Sequence, residues 1–294
     1  MFKSDMSELY SISFNAMLLI RYFPILNLMY DARIDQLKSA IMERGSAVVA
    51  FSGGVDSATL GYLAHHALGN RAVAVTVKLH SYPERELDNA KKVAEEIGIE
   101  HRILEFDELE IPSIAENTPM RCYYCKKEIL GLLAAVKDEL GFDVILEGSN
   151  ASDTAVYRPG RKAISEAGKL VYSPFVEYGV TKEEIRQIAR YAGLSVADKP
   201  SYSCLASRLP YGDALTPESI RRVEMSENFL FDMGFTSMRV RDHQGVARIE
   251  VCPYDFSYIL LNREKIVSYF KKIGFYYVTL DIEGLRSGSM DEIL

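Results

Sequence analysis

Three thiols in the sequence have spacing that can do chemistry. Cys122 and Cys125 form a C-x-x-C in the stretch RCYYCKKEIL, and Cys204 follows in KPSYSCLASR, in a chain with 4 cysteines. Few, scattered cysteines argue against a disulfide framework and for a reducing compartment, where a C-x-x-C is typical of metal or redox work. We therefore expect a cytoplasmic protein whose thiols are reactive or bind metal. The fourth, Cys252 in ARIEVCPY, is expected to be a small buried hydrophobe.

Three interpretations of these thiols are open. A structural zinc site normally has four protein ligands, and after the three cysteines no obvious fourth ligand is near in the sequence. A redox pair needs only Cys122 and Cys125, which leaves Cys204 unexplained. Three cysteines on a [4Fe–4S] cluster leave one iron open to an exogenous sulfide, and this is the interpretation we favour.

The second motif is the glycine loop SGGVDS at residues 52–57. It lies where the apolar strand SAVVAF gives way to a helix, so backbone N–H groups and the helix dipole converge on an anion. Gly53 and Gly54 allow close approach to phosphate, and Ser52 and Ser57 add hydroxyl donors. Asp56 can hold Mg²⁺ or orient the loop. Because the loop has no lysine for a γ-phosphate, it suits pyrophosphate leaving as one unit when the α-phosphate of ATP is attacked.

Composition limits the possible partners. The 294 residues are 48% hydrophobic, and 34 basic against 41 acidic residues give a net charge of −7, so we expect a folded globular protein and consider a nucleic-acid partner unlikely. The apolar stretch NAMLLIRYFPILNLMY is short for a bilayer and is interrupted by Arg21 and Pro24. It is therefore expected to be an N-terminal extension or a packing helix rather than a membrane span.

Strand and helix patterns alternate from residue 31 to about residue 200. This alternation predicts an α/β fold with a doubly wound parallel sheet. One of the predicted helices covers CKKEILGLLAAVKDELG, so the C-x-x-C is expected just before that helix. Thr181 and Glu184 predict a capping box for a later helix. The α-β-β-α-β pattern that follows predicts a second, smaller α+β domain. The expected boundaries are an extension at 1–28, the larger domain at 29–204 and the small domain at 205–294.

The glycine loop resembles that of the PP-loop, or N-type, ATP pyrophosphatases. Together with it, four further stretches resemble the LarE family: EGSNASDTAVYRPGRKA, SPFVEYGVTKEEIR, KPSYSCLASRLPYG and RVRDHQGVARIEV. The resemblance runs from about Met29 to near the C terminus. It implies an ATP-dependent sulfur transferase that adenylylates a carboxylate of pyridinium-3,5-biscarboxylic acid mononucleotide, in biosynthesis of the nickel-pincer nucleotide cofactor. Glu147 and Ser152 stand where the family pattern has Asp, which leaves the roles of Glu147 and Asp153 open.

The family comes in two kinds that differ in cysteine count. One has a single cysteine, matching Cys204, and gives up its own sulfur to become dehydroalanine. The other also carries a C-x-x-C and is thought to use a [4Fe–4S] cluster that supplies a bound sulfide. This chain has the three-cysteine set, so the resemblance implies ATP, Mg²⁺ and a [4Fe–4S] cluster as cofactors, with Cys122, Cys125 and Cys204 as metal ligands.

The resemblance and the motifs together define candidate site residues. The catalytic candidates are Cys204, Asp56 and Ser57, and the nucleotide-binding candidates are Ser52, Gly53, Gly54, Asp56, Ser57, Gly148 and Ser149. The weaker substrate candidates are Arg158, Arg161, Ser207, Arg208, Arg239, Arg241, Glu250 and Asp255. Arg239 and Arg241 share one face of a strand by period two, so they could clamp one anion.

The expected partners are a mononucleotide substrate, sulfide and further copies of the chain. Alternatives are a [4Fe–4S]-dependent tRNA thiolase, a single-turnover donor of the Cys204 sulfur, or a nucleotide-binding regulatory or metal-sensing protein that turns nothing over.

Overall fold

The larger part of the chain folds around a parallel sheet. The computed structural model describes residues 31–155, 159–200, 202–286 and 288–290. The strands are β1 (Ala47–Ala50), β2 (Ala72–Lys78), β3 (Glu100–Glu105), β4 (Val144–Leu146) and β5 (Val171–Tyr172). They lie in the order β3-β2-β1-β4-β5, and each neighbouring pair is parallel.

Helices cover both faces of this sheet. They are α1 (31–42), α2 (Val55–Leu68), α3 (Glu84–Ile97), α4 (Pro112–Ala115), α5 (Arg121–Leu140), α6 (Gly160–Ala167), α7 (Pro174–Glu177) and α8 (Lys182–Tyr191). Val49 packs in the cluster formed with α1, α2, α3 and α8, whereas its neighbour Val48 packs in the cluster formed with α5 and α6. Because both faces are covered, β1 is apolar throughout and β2 is apolar except for Thr76 and Lys78, and the predicted doubly wound sheet is confirmed.

The start of α5 differs from the prediction. The helix begins at Arg121, so Cys122 and Cys125 occupy its first two turns, and the expectation that the C-x-x-C precedes a helix is wrong. Met120 provides no side-chain cap, which removes the local signal for a helix start. Tertiary contacts fix the start instead: the Arg121 side chain donates to Asn117 and to the backbone carbonyl of Ala206. By contrast, the predicted capping box of Thr181 and Glu184 is present at α8.

The second, smaller domain has the predicted mixture of helices and strands. Its elements are α9 (Pro217–Asp232), β6 (Met238–His243), β7 (Val246–Val251), α10 (Phe256–Leu261), α11 (Arg263–Lys272) and β8 (Tyr277–Leu280). β6 and β7 are antiparallel, joined by a tight turn in which Gln244 and Gly245 both have positive φ, and β8 lies parallel to β7. The second helix of the predicted α-β-β-α-β pattern is divided at Asn262 into α10 and α11.

The segment after Cys204 packs on the larger domain. Leu205 N donates to Ser81 O at 2.9 Å, and Leu215 N donates to Ala115 O at 2.7 Å. The segment therefore holds the Cys204 loop near the sheet. The domain boundaries given above stay a prediction. In the part of the chain that the structure describes, no helix has both the length and the apolar character needed to cross a bilayer.

Candidate functional site

The glycine loop is a closed hydrogen-bonded turn at the carboxyl end of β1. Gly54 is the N-cap of α2, so the free N–H groups of that helix face the loop. Ser57 Oγ accepts from Ser52 N at 3.1 Å, lies 3.1 Å from Ser52 Oγ and donates to Gly54 O at 3.1 Å. The two serines thus hold the loop closed, and the free N–H groups at the start of α2 remain available to an anion.

Two glycines let the loop pack tightly. Gly53 has φ +65°, and a Cβ there would lie 2.6 Å from Ala90 Cα on α3. Gly148, after β4, lies against the other side of the loop, where a Cβ would be 3.3 Å from the Asp56 backbone carbon. The loop is therefore fixed between α3 and the end of β4 before any ligand binds.

Asp56 is ion-paired with a lysine that the sequence analysis missed. Lys182 Nζ, in the first turn of α8, contacts Asp56 Oδ2, and Asn150 Nδ2 lies 3.4 Å from Asp56 Oδ1. The sequence did contain a signal for Lys182. The predicted capping box at Thr181 makes Lys182 the first residue of a helix that follows a parallel strand. Lys182 places a cation beside a glycine loop that has none of its own.

A cavity of about 440 Å³ joins the glycine loop to all three predicted metal ligands. Its wall includes Ser52, Asp56, Ser57, Arg121, Cys122, Cys125, Lys126, Glu147, Gly148, Ser149, Asp153 and Cys204. An apolar side is formed by Val75, Val77, Leu79, Ile129 and Leu133. An apolar slot next to a phosphate-binding turn has the character of a purine nucleotide site.

The thiols differ in environment. Cys122 and Cys204 are exposed, whereas Cys125 is half-buried, and burial together with the nearby Cys204 and Cys122 sulfurs raises the pKa of Cys125 to about 12. The guanidinium of Arg121 lies beside them, with Nη2 3.8 Å from Cys122 Sγ. Cys252 is half-buried in the small domain and does not line the cavity that contains the other three cysteines.

The chemistry of the donor set fits a sulfur-ligated metal. Among the residues that the structure describes, no three His, Cys, Asp or Glu side chains are arranged to hold a metal ion. The three cysteines nevertheless line one cavity, and three sulfur donors are suited to zinc or to an iron–sulfur cluster.

The end of β4 carries an ordered carboxylate. Glu147 Oε2 accepts from Ser149 N at 2.9 Å, and Glu147 Oε1 lies 3.4 Å from Lys126 Nζ. Burial alone would raise the pKa of Glu147, but Lys126 and the bonds from Ser149 outweigh it and hold the pKa below its ordinary value. Asp153 Oδ2 accepts from Asn150 N at 3.2 Å. Both carboxylates line the larger cavity.

A second cavity, of about 190 Å³, meets the first at the glycine loop and Cys204. Ser52, Asp56, Tyr82 and Cys204 line both cavities. The smaller one adds Lys182 and also Lys199, whose Nζ is 2.7 Å from Glu86 Oε2. Cys204 is therefore accessible from a nucleotide-sized space on one side and, on the other, from a smaller space that contains two lysine–carboxylate ion pairs.

Arg208 and Ser207 organise the backbone around Cys204. Arg208 is 1% exposed; its Nε lies 2.8 Å from Glu227 Oε1, and its Nη1 donates to Ser203 O at 3.2 Å and to Ser207 Oγ at 2.9 Å. Ser207 Oγ in turn donates to Cys204 O at 2.7 Å. These two substrate candidates lie beside Cys204 as expected, but their polar groups already bond the protein.

The remaining described substrate candidates are bonded within the protein and do not line the cavities. Arg241 forms a buried pair with Glu250, with Nε to Oε1 at 2.6 Å, and Arg239 Nη1 donates to Arg286 O at 2.8 Å. Arg239, Arg241, Glu250, Asp255 and Arg161 line neither of the two cavities. Arg161 Nη1 donates to Asp153 O at 3.2 Å, and Arg158 lies outside the described residues.

Comparison with known proteins agrees with this arrangement. The family described as queuosine biosynthesis protein QueC matches residues 46–121, which contain the glycine loop. The pyridinium-3,5-bisthiocarboxylic acid mononucleotide synthase of Lactiplantibacillus plantarum is 35% identical, over 88% of this chain and 93% of its own length. An uncharacterized protein of Synechocystis sp. is 37% identical over 90% of this chain and 99% of its own.

A more distant group shares only part of the chain. The tRNA-specific 2-thiouridylase MnmA of Rickettsia africae is 28% identical over 54% of this chain and 53% of its own length. The near full-length match to the synthase, with the glycine loop and the cavity that joins it to Cys204, confirms the family expected from the motifs. The chain belongs to the LarE family of PP-loop proteins, which are ATP-dependent sulfur transferases.

Proposed function

We propose that this protein adenylylates a carboxylate of pyridinium-3,5-biscarboxylic acid mononucleotide and replaces one of its oxygens by sulfur, with Cys122, Cys125 and Cys204 holding a [4Fe–4S] cluster. One observation carries the proposal: the three thiols and the glycine loop line the same cavity. The acid in this proposal is the oxygen counterpart of the bisthiocarboxylic product named in the L. plantarum relative. Membership of the LarE family implies that this reaction belongs to nickel-pincer nucleotide biosynthesis.

In the first half-reaction a carboxylate oxygen of the substrate attacks the α-phosphorus of ATP, and pyrophosphate leaves. The free N–H groups at the start of α2 and the hydroxyls of Ser52 and Ser57 stabilise the charge that develops on the departing phosphates. Asp56 would hold Mg²⁺, which neutralises the same charge. Lys182 adds a cation at this position. The product is an acyl adenylate.

In the second half-reaction a sulfide attacks the acyl carbon, the bond to the adenylate oxygen breaks, and AMP leaves with that oxygen. A cluster held by three cysteines supplies an iron site open to exogenous sulfide. The residues of the chain bring the two reactants together, because Cys204 faces both cavities and its loop is fixed by Arg208 and Ser207. The product is a thiocarboxylate.

The experiment is anaerobic purification with iron, sulfide and zinc analysis and an ultraviolet–visible spectrum. Wild type is compared with Cys122→Ala, Cys125→Ala and Cys204→Ala, and Cys252→Ala is the matched control. About four irons per chain in wild type and in the control, with loss in each of the other variants, is the expected result. The expected result also includes formation of more than one thiocarboxylate per chain from added sulfide, with an equal amount of AMP released.

Two results would overturn parts of the proposal. Zinc or no metal, with one sulfur transferred per chain and conversion of Cys204 to dehydroalanine, would make Cys204 a single-turnover donor. Tight tRNA binding in a low-salt filter assay, with tRNA thiolation, would instead favour the tRNA thiolase alternative raised by the partial similarity to MnmA. Assembly into a homo-oligomer and a cytoplasmic location remain predictions of the same proposal.

A further inference from the structure

A buried carboxylate holds the loop between β2 and α3. Glu108, in the turn that follows β3, is 1% exposed. Its Oε2 accepts from His80 N at 2.9 Å, and its Oε1 accepts from Ser81 N at 2.8 Å. Because β2 and β3 are parallel neighbours, the segments that follow them leave the same edge of the sheet, and this brings Glu108 to the β2–α3 loop (residues 79–83). Both carboxylate oxygens are thus used to fix that loop.

The partners of Glu108 differ from those of other buried carboxylates. Glu227 and Glu250 each pair with an arginine, whereas Glu108 bonds two consecutive backbone N–H groups. Burying a carboxylate is costly, so its presence needs a reason beyond filling space. A carboxylate offers an acceptor oxygen to each of two N–H groups, but an amide side chain offers one oxygen and a donor. The chemistry of Glu108 therefore suits a role in fixing the backbone at two adjacent residues.

The β2–α3 loop contacts both of the loops that carry the proposed chemistry. Ser81 O accepts from Leu205 N, the residue after Cys204, at 2.9 Å. Tyr82 OH donates to Ser52 O, at the start of the glycine loop, at 2.8 Å. Tyr82 also lines both cavities. The β2–α3 loop is therefore a bridge between the nucleotide loop and the Cys204 loop, and Glu108 anchors this bridge from below.

The two loops depend on the bridge to different degrees. Ser52 is also held within the glycine loop, because Ser57 Oγ accepts from its N–H at 3.1 Å and lies 3.1 Å from its hydroxyl. The bond from Ser207 Oγ to Cys204 O is internal to the Cys204 loop, so it moves with that loop. The bond from Leu205 to Ser81 instead ties the Cys204 loop to the bridge. A bridge that loses its anchor should displace Cys204 more than the glycine loop.

We propose that Glu108 is a positioning residue for sulfur transfer: by fixing the β2–α3 loop, it keeps Cys204 in register with the glycine loop, where the acyl adenylate forms. The inference rests on the proposed function, and it holds whether the sulfur comes from a bound sulfide or from Cys204 itself. Where the register is lost, water takes the place of sulfur. It adds to the acyl carbon, the bond to the adenylate oxygen breaks, and AMP, the original carboxylate and a proton are released.

The first test measures AMP and thiocarboxylate in the same reaction at saturating ATP. Glu108→Gln keeps the shape of the side chain but replaces one acceptor by a donor. A displacement of reacting groups by about 1 Å can cost about 10²-fold in rate, so we expect the ratio of AMP to thiocarboxylate to rise at least about tenfold. The KM for ATP should be unchanged. Loss of folded protein alone would lower both products together, so a wild-type ratio in Glu108→Gln would overturn the proposal.

The matched control is Glu96→Gln. Glu96 Oε1 likewise accepts from a distant backbone N–H, that of Ser195, at 2.8 Å, but neither residue lines a cavity. This variant should keep the wild-type ratio, and an equal rise in both variants would overturn a specific role of Glu108. If Glu108→Gln does not fold, Glu108→Asp decides, because a side chain one carbon shorter cannot reach both N–H groups from the same backbone position. A wild-type ratio in that variant would also overturn the proposal.

The second test does not depend on turnover. Hydrogen–deuterium exchange with mass spectrometry compares wild type and Glu108→Gln without ligands. We expect faster exchange in the peptides that contain His80, Ser81 and Leu205, and unchanged exchange in the glycine loop. Unchanged exchange at Leu205 would overturn the inference. Wild-type protein that forms no thiocarboxylate would instead reject the proposed function, and the exchange at Leu205 would still decide whether Glu108 holds the Cys204 loop.

Discussion

Asp56 and Lys182 form an ion pair between two helix starts. Asp56 lies in the first turn of α2, Lys182 lies in the first turn of α8, and their side chains are 28% and 27% exposed. Both line the smaller cavity. In the free protein, the Asp56 carboxylate, which is the candidate for holding Mg²⁺, and the Lys182 ammonium, which is the candidate for binding phosphate, therefore neutralise each other. Mg-ATP offers each of them a better partner, since the metal takes the carboxylate and the phosphates take the lysine.

Replacing Lys182 should impair pyrophosphate formation. We expect Lys182→Met to reduce the rate of pyrophosphate release by about 10²- to 10³-fold, the range for loss of one electrostatic group that acts on transition-state charge. Asp56→Asn should have an effect of similar size through loss of Mg²⁺. The measurement is substrate-dependent pyrophosphate release at saturating ATP.

Lys162→Met is the control for this change. Lys162 is 63% exposed on α6, where it pairs with Glu166, so its removal should leave the rate unchanged. A Lys182→Met protein with wild-type activity would show that the pair only orders the loop, and the role of Lys182 in phosphate binding would have to be abandoned.

The motifs predicted the position of the glycine loop between β1 and α2, because local patterns determine it. An apolar strand, two glycines and a helix start occupy consecutive residues, so the sequence itself places Ser52 and Ser57 on the turn. The capping box at Thr181 is equally local. In both cases the hydrogen bonds that fix the geometry join residues at most five positions apart.

The parts that sequence analysis missed depend on long-range contacts. Arg121 starts α5 through Ala206, 85 positions away, and Lys182 reaches Asp56 across 126 positions. The pairing of Arg241 with Glu250 depends on the register of β6 against β7. The alternating pattern does not specify which charged residues of the two strands lie close together. Two arginines on one strand face suggested an anion clamp, but Arg241 is committed to a buried carboxylate.

Gly53→Ala should weaken nucleotide binding, because it adds a steric clash to the backbone strain. The added Cβ would lie 2.6 Å from Ala90 Cα, so the loop would have to move away from α3. We expect weaker ATP binding and a loss of unfolding free energy larger than the about 1–2 kcal/mol that a left-handed residue costs by itself. Isothermal titration with ATP and urea denaturation measure the two effects.

Gly141→Ala separates strain from crowding. Gly141 has φ +64°, close to the +65° of Gly53, but a Cβ there meets nothing within 4 Å. It should cost the strain alone and leave ATP binding unchanged. If both variants bind ATP like wild type, the close approach of Gly53 to Ala90 has no bearing on the nucleotide site.

Arg208→Met should both destabilise the protein and displace Cys204. The change leaves Glu227, 2% exposed, without its cation, for which we expect a loss of about 3–5 kcal/mol in unfolding free energy. It also removes the donor to the Ser203 and Ser207 acceptors that border Cys204, so sulfur transfer should fall in the folded fraction. Urea denaturation and thiocarboxylate formation at low temperature measure these two effects.

Arg190→Met is the matched change at an exposed pair. Arg190 and Asp198 are 2.8 Å apart with side chains 45% and 77% exposed, a setting in which an ion pair contributes about 0–1 kcal/mol. Equal destabilisation by the two substitutions would contradict the importance of burial. Unchanged sulfur transfer in Arg208→Met would contradict its role in positioning the Cys204 loop.

The Arg241–Glu250 pair should make the stability of the protein depend on acid pH. Burial alone would raise the pKa of Glu250, but the Arg241 and Arg248 guanidiniums and the Ser289 hydroxyl outweigh it, so the pKa lies below its ordinary value of 4.5. A carboxyl with a lowered folded pKa stabilises the fold fully above the unfolded pKa, and this contribution disappears as the pH falls through the folded value. The stabilisation by Glu250 is therefore complete at neutral pH and is lost below 4.5.

Glu250→Gln tests this pH dependence. At about pH 7 the variant should be less stable than wild type by about 3–5 kcal/mol, because Arg241 loses its buried counter-charge. The difference should narrow as the pH is lowered below about 4.5, where Glu250 takes up a proton in the unfolded wild-type chain while it is still ionised in the folded one. Urea denaturation of both proteins over a pH series measures it, with exposed Glu43→Gln as a control that should match wild type throughout. A difference that stays constant down to about pH 3 would mean that Glu250 is not held as a carboxylate by the two arginines.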